Sequence, residues 1–458
     1  MAENTKMEKL ISLCKRRGFI FQSGEQYGGL QGFWDFGPLG VELKNNIKKL
    51  WWKKFVQQRD DVVGLDSAIV TNPKVWEKSG HVKSFADTLV ECKKCHLRFK
   101  YDDLSDKDKC PSCGGEFTEA KQFNTMFRTF VGPAESSSST AYLRPETAQN
   151  IFINFDLIRQ SMRLKIPFGI AQIGKAFRNE ITPGNFIFRS REFEQMELEY
   201  FVAPKEDEGW FVKWVAASHR WFIDLGIKKE NLRLFEQPKE ELAHYSKATT
   251  DIEYKFPFSA KGGNEGWAEL MGIANRTDYD LKAHGFKYRD EATNKEFIPY
   301  VIEPSAGVDR AALAFLLDAY DEVKGGRTTT TESNKESEIV LRLHKDLAPF
   351  KVAVLPLSKK EKLSGLAKDV YHDLQKHWMT AYDEISSIGR RYRRQDEIGT
   401  PYCVTVDFES LEDKKVTVRD RDTMKQERVE IKEIIPYLSN QLKSQSIINE
   451  RTRLQIIT

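Results

Sequence analysis

The chain has 458 residues, of which 40% are hydrophobic and 30% carry a charge. This balance is typical of a globular protein with several domains. The formal net charge of +3 argues against non-specific binding of nucleic acid through a basic tail, although a local basic face remains compatible with it. The segment MAENTKMEKL has no apolar core behind a basic start, and no apolar run is long enough to span a bilayer. We therefore expect a cytoplasmic protein without a membrane anchor.

An amphipathic helix is predicted over residues 39–58. Its apolar residues recur at i, i+4, i+8, i+11, i+12 and i+16, as one face of an α-helix requires. They are Leu39, Leu43, Ile47, Leu50, Trp51 and Phe55. The segment DVVGLDSAIVTNP that follows predicts a strand that ends at Pro73.

Residues 85–125 have the character of an insert and contain two CxxC pairs. The first pair is Cys92 and Cys95, the second is Cys110 and Cys113, and 14 residues separate them. Disulfides are not expected in a large chain of this kind. The spacing is that of a zinc ribbon, and four thiolates would leave Zn²⁺ no open position, so the expected metal is structural. Four reduced thiols without a metal are the alternative.

Two predicted antiparallel strands, FGIAQIGKAFR and FEQMELEYF, carry the main functional signal. On the first strand, small residues share a face with Arg178. On the second strand, alternation places Phe193, Gln195, Glu197 and Glu199 on one face. A cation, an aromatic ring and carboxylates on one face suit a nucleotide together with a zwitterion. The alternative is a hairpin whose polar face meets solvent.

A second signal is EPSAGVDRAALAFLLDAY, residues 303–320. The apolar run predicts a helix that opens at Gly307. Arg310 then lies in the first turn, where the helix dipole disfavours a cation. Arg310 is therefore expected to share an anion, such as a triphosphate, with the helix terminus. A solvated arginine is the alternative.

The last third of the chain predicts a separate unit. Residues 325–338, GGRTTTTESNKESE, have the composition of a polar linker or mobile loop. Beyond them, FKVAVLPL, YCVTVDF and KKVTVRDRD predict strands, with helices at 360–379 and from about Ile431, which indicates a small α/β domain. Arg390, Arg391, Arg393 and Arg394 flank Tyr392 and could contact RNA phosphates, although a charge run is more often a solvated face.

These motifs resemble the three signature motifs of the class II aminoacyl-tRNA synthetases, in the same order. The helix at 39–58 with its strand is similar to the first, FRNE with FEQMELE to the second, and GVDRAALAFL to the third. Within the class, the chain most resembles the dimeric, single-chain glycyl-tRNA synthetases. That resemblance is carried by YGGLQGFWDFGPLGVELKNN, WEKSGHVKSF, FNTMF, LRPETAQNIF, FEQMELEYF, ELMGIANRTDYDL, EPSAGVDRA, SIGRRYRRQDEIGTPYCVTVD and VRDRDTMKQERV, and it covers nearly the whole chain.

The resemblance implies an α+β fold. A class II catalytic domain with an antiparallel sheet would span residues 1–340, with a zinc-ribbon-like insert at about 85–125, and an α/β anticodon-binding domain would span 341–458. It also implies a homodimer that forms glycyl-adenylate from glycine and ATP with Mg²⁺, and then transfers glycine to the 3′ end of tRNA(Gly). The first domain alone should suffice for adenylate formation, whereas charging of tRNA should need both.

The resemblance also implies a role for each matching residue. The expected catalytic residues are Arg178, Glu180 and Arg310, with Arg178 between the glycine carboxylate and the α-phosphate and Arg310 on the γ-phosphate. The expected ATP-binding residues are Arg178, Asn179, Glu180, Phe188, Arg189, Ser190, Arg191, Glu192, Phe193, Glu269, Leu270, Gly307, Val308, Asp309 and Arg310, with Phe193 stacked on adenine and Glu269 as the Mg²⁺ ligand. The expected glycine-binding residues are Arg98, Glu146, Phe193, Glu194, Gln195, Met196, Glu197, Glu303, Pro304, Ser305, Ala306 and Gly307.

Glycine has no side chain to hold, so its selection must come from excluding larger amino acids. Glu146, Glu197 and Glu303 would grip the ammonium group and fill the space that a methyl group needs. Two other interpretations remain open. One is a non-catalytic binding protein on the same scaffold, such as the accessory subunit of the mitochondrial replicative DNA polymerase. The other is a class II synthetase for proline or threonine. The arginines favour an enzyme over the first, and the three carboxylates favour glycine over the second.

Overall fold

A computed structural model of the protein describes residues 5–136, 139–258, 266–327 and 337–443. Most of the predicted linker at 325–338 lies outside the described residues, since 328–336 are not among them. Within the described ranges, no helix combines the length and the apolar character that crossing a membrane requires.

Helices are interspersed with runs of strands along the chain. Up to residue 130 they are α1 (Lys6–Arg17), β1 (Ile20–Gln22), β2 (Trp34–Phe36), α2 (Pro38–Trp52), β3 (Val62–Leu65), β4 (Val70–Thr71), α3 (Pro73–Lys78), α4 (His81–Ser84), β5 (Ala86–Glu91), β6 (Arg98–Lys100), β7 (Lys121–Asn124) and β8 (Arg128–Phe130). From there to residue 341 they are β9 (Thr140–Leu143), α5 (Ala148–Ile153), α6 (Phe155–Met162), β10 (Phe168–Phe177), β11 (Glu192–Val202), α7 (Asp207–Asp224), β12 (Leu232–Glu236), β13 (Ala248–Lys255), β14 (Trp267–Thr277), α8 (Tyr279–His284), β15 (Tyr288–Asp290), β16 (Lys295–Phe297), β17 (Tyr300–Gly307), α9 (Val308–Ala319), β18 (Tyr320–Lys324) and β19 (Ser337–Leu341). The last segment contains β20 (Val352–Pro356), α10 (Glu361–Leu374), β21 (Thr380–Tyr382), α11 (Ile388–Ile398), β22 (Tyr402–Val406), α12 (Ser410–Asp413), β23 (Lys415–Asp420), β24 (Gln426–Glu430) and α13 (Ile434–Leu442).

The central sheet has the strand order β12–β13–β14–β17–β11–β10–β3. Neighbouring strands run antiparallel, except that β10 and β3 are parallel. The register pairs Gln172 with Glu197 and Ala176 with Phe193. The two predicted polar faces therefore lie on the same side of the sheet, and Met196 on the opposite face is fully buried in the core. The predicted hairpin and its alternation are confirmed.

The apolar face of the sheet is covered by helices. The predicted helix at 39–58 is α2, which continues as a π-helical turn at Lys53–Gln57. Its apolar stripe, including Ile47, Trp51 and Phe55, is buried. Helix α9 is apolar on nearly every side because it lies inside this core, and Leu313 and Leu316 are fully buried. A buried leucine stabilises the fold by about 2 kcal/mol, so these helices anchor the sheet firmly.

The prediction of a single strand before Pro73 is wrong, because the segment forms two short strands in different sheets. Strand β3 pairs with β10 in the central sheet, whereas β4 pairs with β9. Pro73 does not end a strand but begins α3, where its missing N–H costs nothing. The side chain of Asn72 accepts a hydrogen bond from the Lys74 amide at 3.0 Å and caps that helix.

The insert forms a small sheet of its own, in the order β6–β5–β7. The last segment forms another sheet, in the order β21–β20–β22–β23–β24, in which β20 runs parallel to both neighbours and the other pairs are antiparallel. Its core contains Val352, Val404, Val418 and Leu438. The predicted α/β unit is thus confirmed. Its helix α11 was not predicted, because the run of arginines was interpreted as a charged segment.

The two cores meet at a joint. Leu341, Leu343 and Leu347 precede the last sheet but are buried in the first core, and Ile398 at the end of α11 packs there too. The side chain of Arg327 is paired with Asp396 of α11. The described residues on both sides of 328–336 are therefore packed against the protein.

Candidate functional site

A cleft of about 620 Å³ opens on the polar face of the central sheet. Its volume is that of a small-molecule site. Strands β11, β14 and β17, the loop between β10 and β11, the start of α9 and the start of the insert line it. The predicted residues in its lining are Glu146, Arg178, Glu180, Phe188, Arg189, Ser190, Phe193, Gln195, Glu197, Glu269, Glu303, Ser305, Gly307, Asp309 and Arg310.

Other predicted site residues lie outside this lining. Those whose side chains pack in the hydrophobic core are Met196, Leu270, Ala306 and Val308. Those placed elsewhere are Arg98, Asn179, Arg191, Glu192, Glu194 and Pro304. Along a strand, neighbours point to opposite faces, so a motif of consecutive residues cannot all face one ligand. Arg98 lies in the insert, is two-thirds exposed and pairs with Glu91 at 3.0 Å.

Glu197 is held by three hydrogen bonds from the protein. The backbone N–H of Thr147 donates to its Oε2 at 3.0 Å, and the Thr147 hydroxyl donates to the same oxygen. The Ser305 hydroxyl donates to its Oε1 at 2.7 Å. Glu197 is 1% exposed, so these donors fix the orientation of its carboxyl group in the cleft.

Glu303 faces the same part of the cleft from β17, and a buried arginine holds it. Arg276 on β14 donates from Nη1 to Glu303 Oε2 at 2.6 Å. Its Nε and Nη2 donate to the two carboxylate oxygens of Asp280 at 2.7 and 2.9 Å. Arg276 also lies 3.8 Å from the centre of the Tyr245 ring. Burial raises the pKa of Glu303 to about 8, against the opposing effect of Arg276. At neutral pH the Glu303 carboxyl group therefore carries a proton, which it can release when another cation binds beside it.

Glu146 completes the set of carboxylates. Its Oε2 lies 3.4 Å from Nε2 of His81. Burial opposes its ionisation, but the interactions with His81, Arg276 and Arg178 hold the pKa of Glu146 well below its ordinary value. Glu146 therefore brings a negative charge to the cleft at neutral pH.

Arg178 lies where the hairpin leaves β10. Its Nε donates to the carbonyl oxygen of Pro145 at 2.9 Å. The guanidinium carbon lies 5.5 Å from the centre of the Phe85 ring and 5.4 Å from that of Phe193. The rings and the carbonyl fix the position of the guanidinium, while among the described residues no hydrogen bond engages its Nη atoms, which can bind an anion.

Arg310 occupies the first turn of α9, as predicted. Its Nη1 donates to the carbonyl oxygen of Glu269 at 2.8 Å and lies 3.3 Å from a carboxylate oxygen of the same residue. Its guanidinium lies 4.3 Å from the centre of the Phe188 ring. A cation and a half-exposed carboxylate thus stand side by side at the cleft, a pairing that suits a phosphate chain and its metal ion.

Lys44 connects three elements behind the cleft. Its Nζ lies 2.7 Å from Asp309 at the start of α9 and 3.1 Å from Glu194 at the start of β11. Asp309 in turn accepts a hydrogen bond from the Glu194 amide at 2.7 Å. Asp309 and Glu194, both predicted to contact substrates, are therefore engaged with α2 and hold the elements that carry Arg310 and Phe193.

Arg144, which was not among the residues predicted from the sequence, is 1% exposed and lies beside Gly174 of β10. Its Nε donates to the carbonyl of Lys175 at 2.7 Å and its Nη1 to the carbonyl of Ser67 at 2.9 Å. A Cβ at Gly174 would lie 2.2 Å from Arg144 Nη2. Gly174 thus makes room for Arg144, whereas the small residues of this strand were expected to leave room beside Arg178. The sequence feature that could have identified Arg144 is its position directly before Pro145 and Glu146.

The four predicted cysteines meet at one end of the insert. Their sulfur atoms all lie within 4.8 Å of one another, with 3.5 Å between Cys92 and Cys113 and 3.7 Å between Cys95 and Cys110. Sulfurs in a tetrahedral site at 2.3 Å from zinc would be about 3.8 Å apart. A Cβ at residue 115 would lie 3.0 Å from Cys92 Sγ, so the turn needs Gly115. The donor set and its spacing fit a Zn²⁺ ion.

Comparisons with known proteins agree with this geometry. Residues 134–320 match the family described as tRNA synthetase class II core domain (G, H, P, S and T), and residues 351–441 match the anticodon binding domain family. The chain is 54% identical to the glycine–tRNA ligase of Thermobifida fusca over 464 residues, which cover 96% of this chain and 99% of the relative. It is 53% identical to that of Alkaliphilus oremlandii (97% and 100% covered) and 52% identical to that of Bacillus anthracis (95% and 99% covered).

Proposed function

The chain belongs to the glycine–tRNA ligase family of class II aminoacyl-tRNA synthetases, and from this premise we propose that it activates glycine with ATP and transfers it to tRNA(Gly). The observation that carries the proposal is the cleft itself. Three carboxylates, Glu146, Glu197 and Glu303, share it with two arginines, Arg178 and Arg310. This is the charge pattern that an ammonium group, a carboxylate and a triphosphate together require.

Activation needs an in-line attack of the glycine carboxylate on the α-phosphate, with pyrophosphate as the leaving group. No protein nucleophile takes part, so the protein contributes position and charge. Arg178 would bind the carboxylate and the α-phosphate, because it lines the cleft and its guanidinium lies between the rings of Phe85 and Phe193. Arg310 would bind the γ-phosphate. Phe193 would stack on the adenine.

Mg²⁺ would accompany ATP at Glu269. The carboxylate of Glu269 is half exposed, lines the cleft and stands 3.3 Å from Arg310. Hard oxygen ligands of this kind suit Mg²⁺, which commonly binds through one carboxylate and the substrate phosphates. The ion would neutralise charge on the phosphate chain.

Selection of glycine would follow from the crowding of carboxylates. Glu197 and Glu303 are each fixed by protein donors and cannot move aside for a larger substrate without losing those bonds. The ammonium group would replace the proton that Glu303 carries below a pH of about 8. Any side chain on the substrate Cα would have to enter the same space.

The sulfur cluster of Cys92, Cys95, Cys110 and Cys113 would hold one structural Zn²⁺. It lies on the insert whose strand β5 also brings Asp87 to the cleft. Metal analysis of protein purified without added zinc should find about one zinc per chain. Cys92→Ser should lose that zinc, whereas Cys14→Ala, at a buried thiol elsewhere, should keep it. A full zinc content in Cys92→Ser would contradict the assignment.

We propose two domains, at about 1–340 and 341–458, and a homodimer. The second domain would read the anticodon of tRNA(Gly), in line with its family match. Tyr27, Leu30 and, on α2, Val41 have exposed apolar side chains that offer a surface for a second copy. Sedimentation of the full chain would measure the oligomeric state. We place the protein in the cytoplasm, where its RNA substrate is charged.

The test of the function is ATP–pyrophosphate exchange with a panel of amino acids. Glycine should support exchange, and alanine, serine and proline should support it at least about a hundredfold less well, since a methyl group must displace buried carboxylates. Exchange that depends on proline or alanine and not on glycine would refute the substrate. A folded protein that supports no exchange would instead favour a non-catalytic role.

A further inference from the structure

Glu199 lies on the polar face of β11, two residues beyond Glu197, and the reaction outlined above gives it no role. Its side chain is 0% exposed. Neither of its carboxylate oxygens has a hydrogen-bond partner among the described residues. One oxygen from each of Glu197, Glu199 and Glu303 lies within 4.8 Å of the others. Across the hairpin, Glu199 pairs with Ile170, whose side chain offers no donor.

The surroundings of Glu199 do not support a negative charge. Burial without hydrogen-bond donors disfavours the ionised form of a carboxyl group, and neighbouring carboxylates disfavour it further. Glu197 faces it from its own strand, Glu303 from β17 and Asp280 from α8. The neighbouring cation, Arg276, is already engaged with Asp280 and Glu303. Burial, followed by the charge of Glu303, raises the pKa of Glu199 well above its ordinary value.

We propose that Glu199 is a neutral carboxylic acid that donates a hydrogen bond to Glu303 when glycine is bound, and so positions Glu303 for the ammonium group. Arg276 holds Glu303 from one side, at Oε2. The hydroxyl of the Glu199 carboxylic acid donates to Glu303 from the interior of the protein. Glu199 is thus a positioning residue that does not touch the substrate. The inference rests on the proposed function only for the identity of that substrate.

Two variants of the full chain separate the possible roles. Glu199→Gln stays neutral and keeps a donor, so its KM for glycine in pyrophosphate exchange should remain within about threefold of the unchanged protein. Glu199→Leu has a similar volume but no donor, and its KM for glycine should rise roughly tenfold or more, as expected for losing a hydrogen bond to a charged group. The KM for ATP should not change in either variant.

The opposite results overturn the proposal. If Glu199 served only to fill space, Glu199→Leu would keep the KM for glycine of the unchanged protein. If Glu199 were ionised, Glu199→Gln would be impaired as severely as Glu199→Leu, because a charge near the ammonium group would be gone.

Infrared spectroscopy tests the protonation directly and does not depend on activity or on the folding of Glu199→Leu. At neutral pH, where Glu303 is protonated as well, the unchanged protein should show the carbonyl stretch of one more buried carboxylic acid than Glu199→Gln does. Identical spectra in this region would overturn the proposal. Failure of the proposed function has a different signature: the unchanged protein would support no glycine-dependent exchange, while the infrared band would still be present.

Discussion

Arg178 stands between two aromatic rings and is anchored at a backbone carbonyl, so the protein holds its charge in place before any substrate arrives. We predict that Arg178→Ala lowers the rate of glycine-dependent exchange about a hundredfold or more, because a preorganised charge at the reacting phosphate is worth about 3 kcal/mol or more. Single-turnover adenylate formation is the measurement. Arg220→Ala removes an exposed arginine of α7 and is the matched control. Unchanged activity in folded Arg178→Ala would contradict the role.

The raised pKa of Glu303 leads to a prediction of how glycine binding depends on pH. Its pKa is raised to about 8, chiefly by burial, so the group is protonated below that pH and ionised above it. The ammonium group of glycine prefers the ionised form, and binding below pH 8 must release a proton. We therefore expect kcat/KM for glycine to rise with pH up to about 8, by up to tenfold per pH unit, and then to level off.

The check is kcat/KM for glycine measured at saturating ATP from pH 6.5 upwards, with proton release on glycine binding measured by calorimetry in two buffers. A flat profile below pH 8 would show that Glu303 is already ionised in the free protein. Such a result would mean that Arg276 outweighs burial at this site.

Lys44 is the point at which α2, β11 and α9 are tied together. It is 5% exposed, and removing its charge would leave the buried Asp309 without this partner, whereas Glu194 would keep Lys48. We predict that Lys44→Met lowers the free energy of unfolding by about 3 kcal/mol. Lys48→Met, on the same helix and also paired with Glu194 but more exposed, should cost under about 1 kcal/mol.

Urea unfolding of both variants measures the difference. Equal costs for Lys44→Met and Lys48→Met would show that the two ion pairs are equivalent, and that the buried one does not hold the elements together.

The hairpin of β10 and β11 could be predicted from the sequence because a period of two is a local property. Alternation assigned Glu197 and Met196 to opposite faces, and the register bears this out. The split between β3 and β4 could not be predicted in this way, because the same apolar and β-branched residues suit one strand or two. Only the choice of pairing partners, which lie more than 70 residues away along the chain, decides it.

The same limit applies to the site. Glu146, Glu197 and Glu303 were identified from motifs, but the groups that hold them were not. Arg276 lies 27 residues from Glu303, and Lys44 lies 265 residues from Asp309. In the sequence both are ordinary charged residues, so their roles become visible only when the sheet brings the strands together.

The division into two units makes a prediction about truncation. A chain that ends at Glu338 would lose most of β19 and the buried residues Leu341, Leu343 and Leu347, so we expect it to be poorly folded. A chain that ends at Phe350 keeps them. It should retain glycine-dependent exchange but charge tRNA at least about a hundredfold less well, a loss of roughly 3 kcal/mol in binding.

Circular dichroism and sizing must first show that the chain ending at Phe350 is folded. Exchange and charging are then compared with the full chain. Full charging by the shorter chain would mean that the second unit does not contribute to recognition of the RNA.

The packed joint at the end of α11 has a consequence for the RNA. Ile398 lies in the first core and Asp396 is paired with Arg327, while Arg17 of α1 donates to Glu397 at 2.7 Å. Three successive residues of one helix are thus fixed to the other unit, and the gap between the cleft and the second sheet is preset by the protein. An RNA that inserts one extra base pair between its anticodon and its 3′ end would keep every recognised base and still present its terminal ribose at the wrong distance. Charging would then depend on the distance between the anticodon and the 3′ end of the RNA as well as on its sequence.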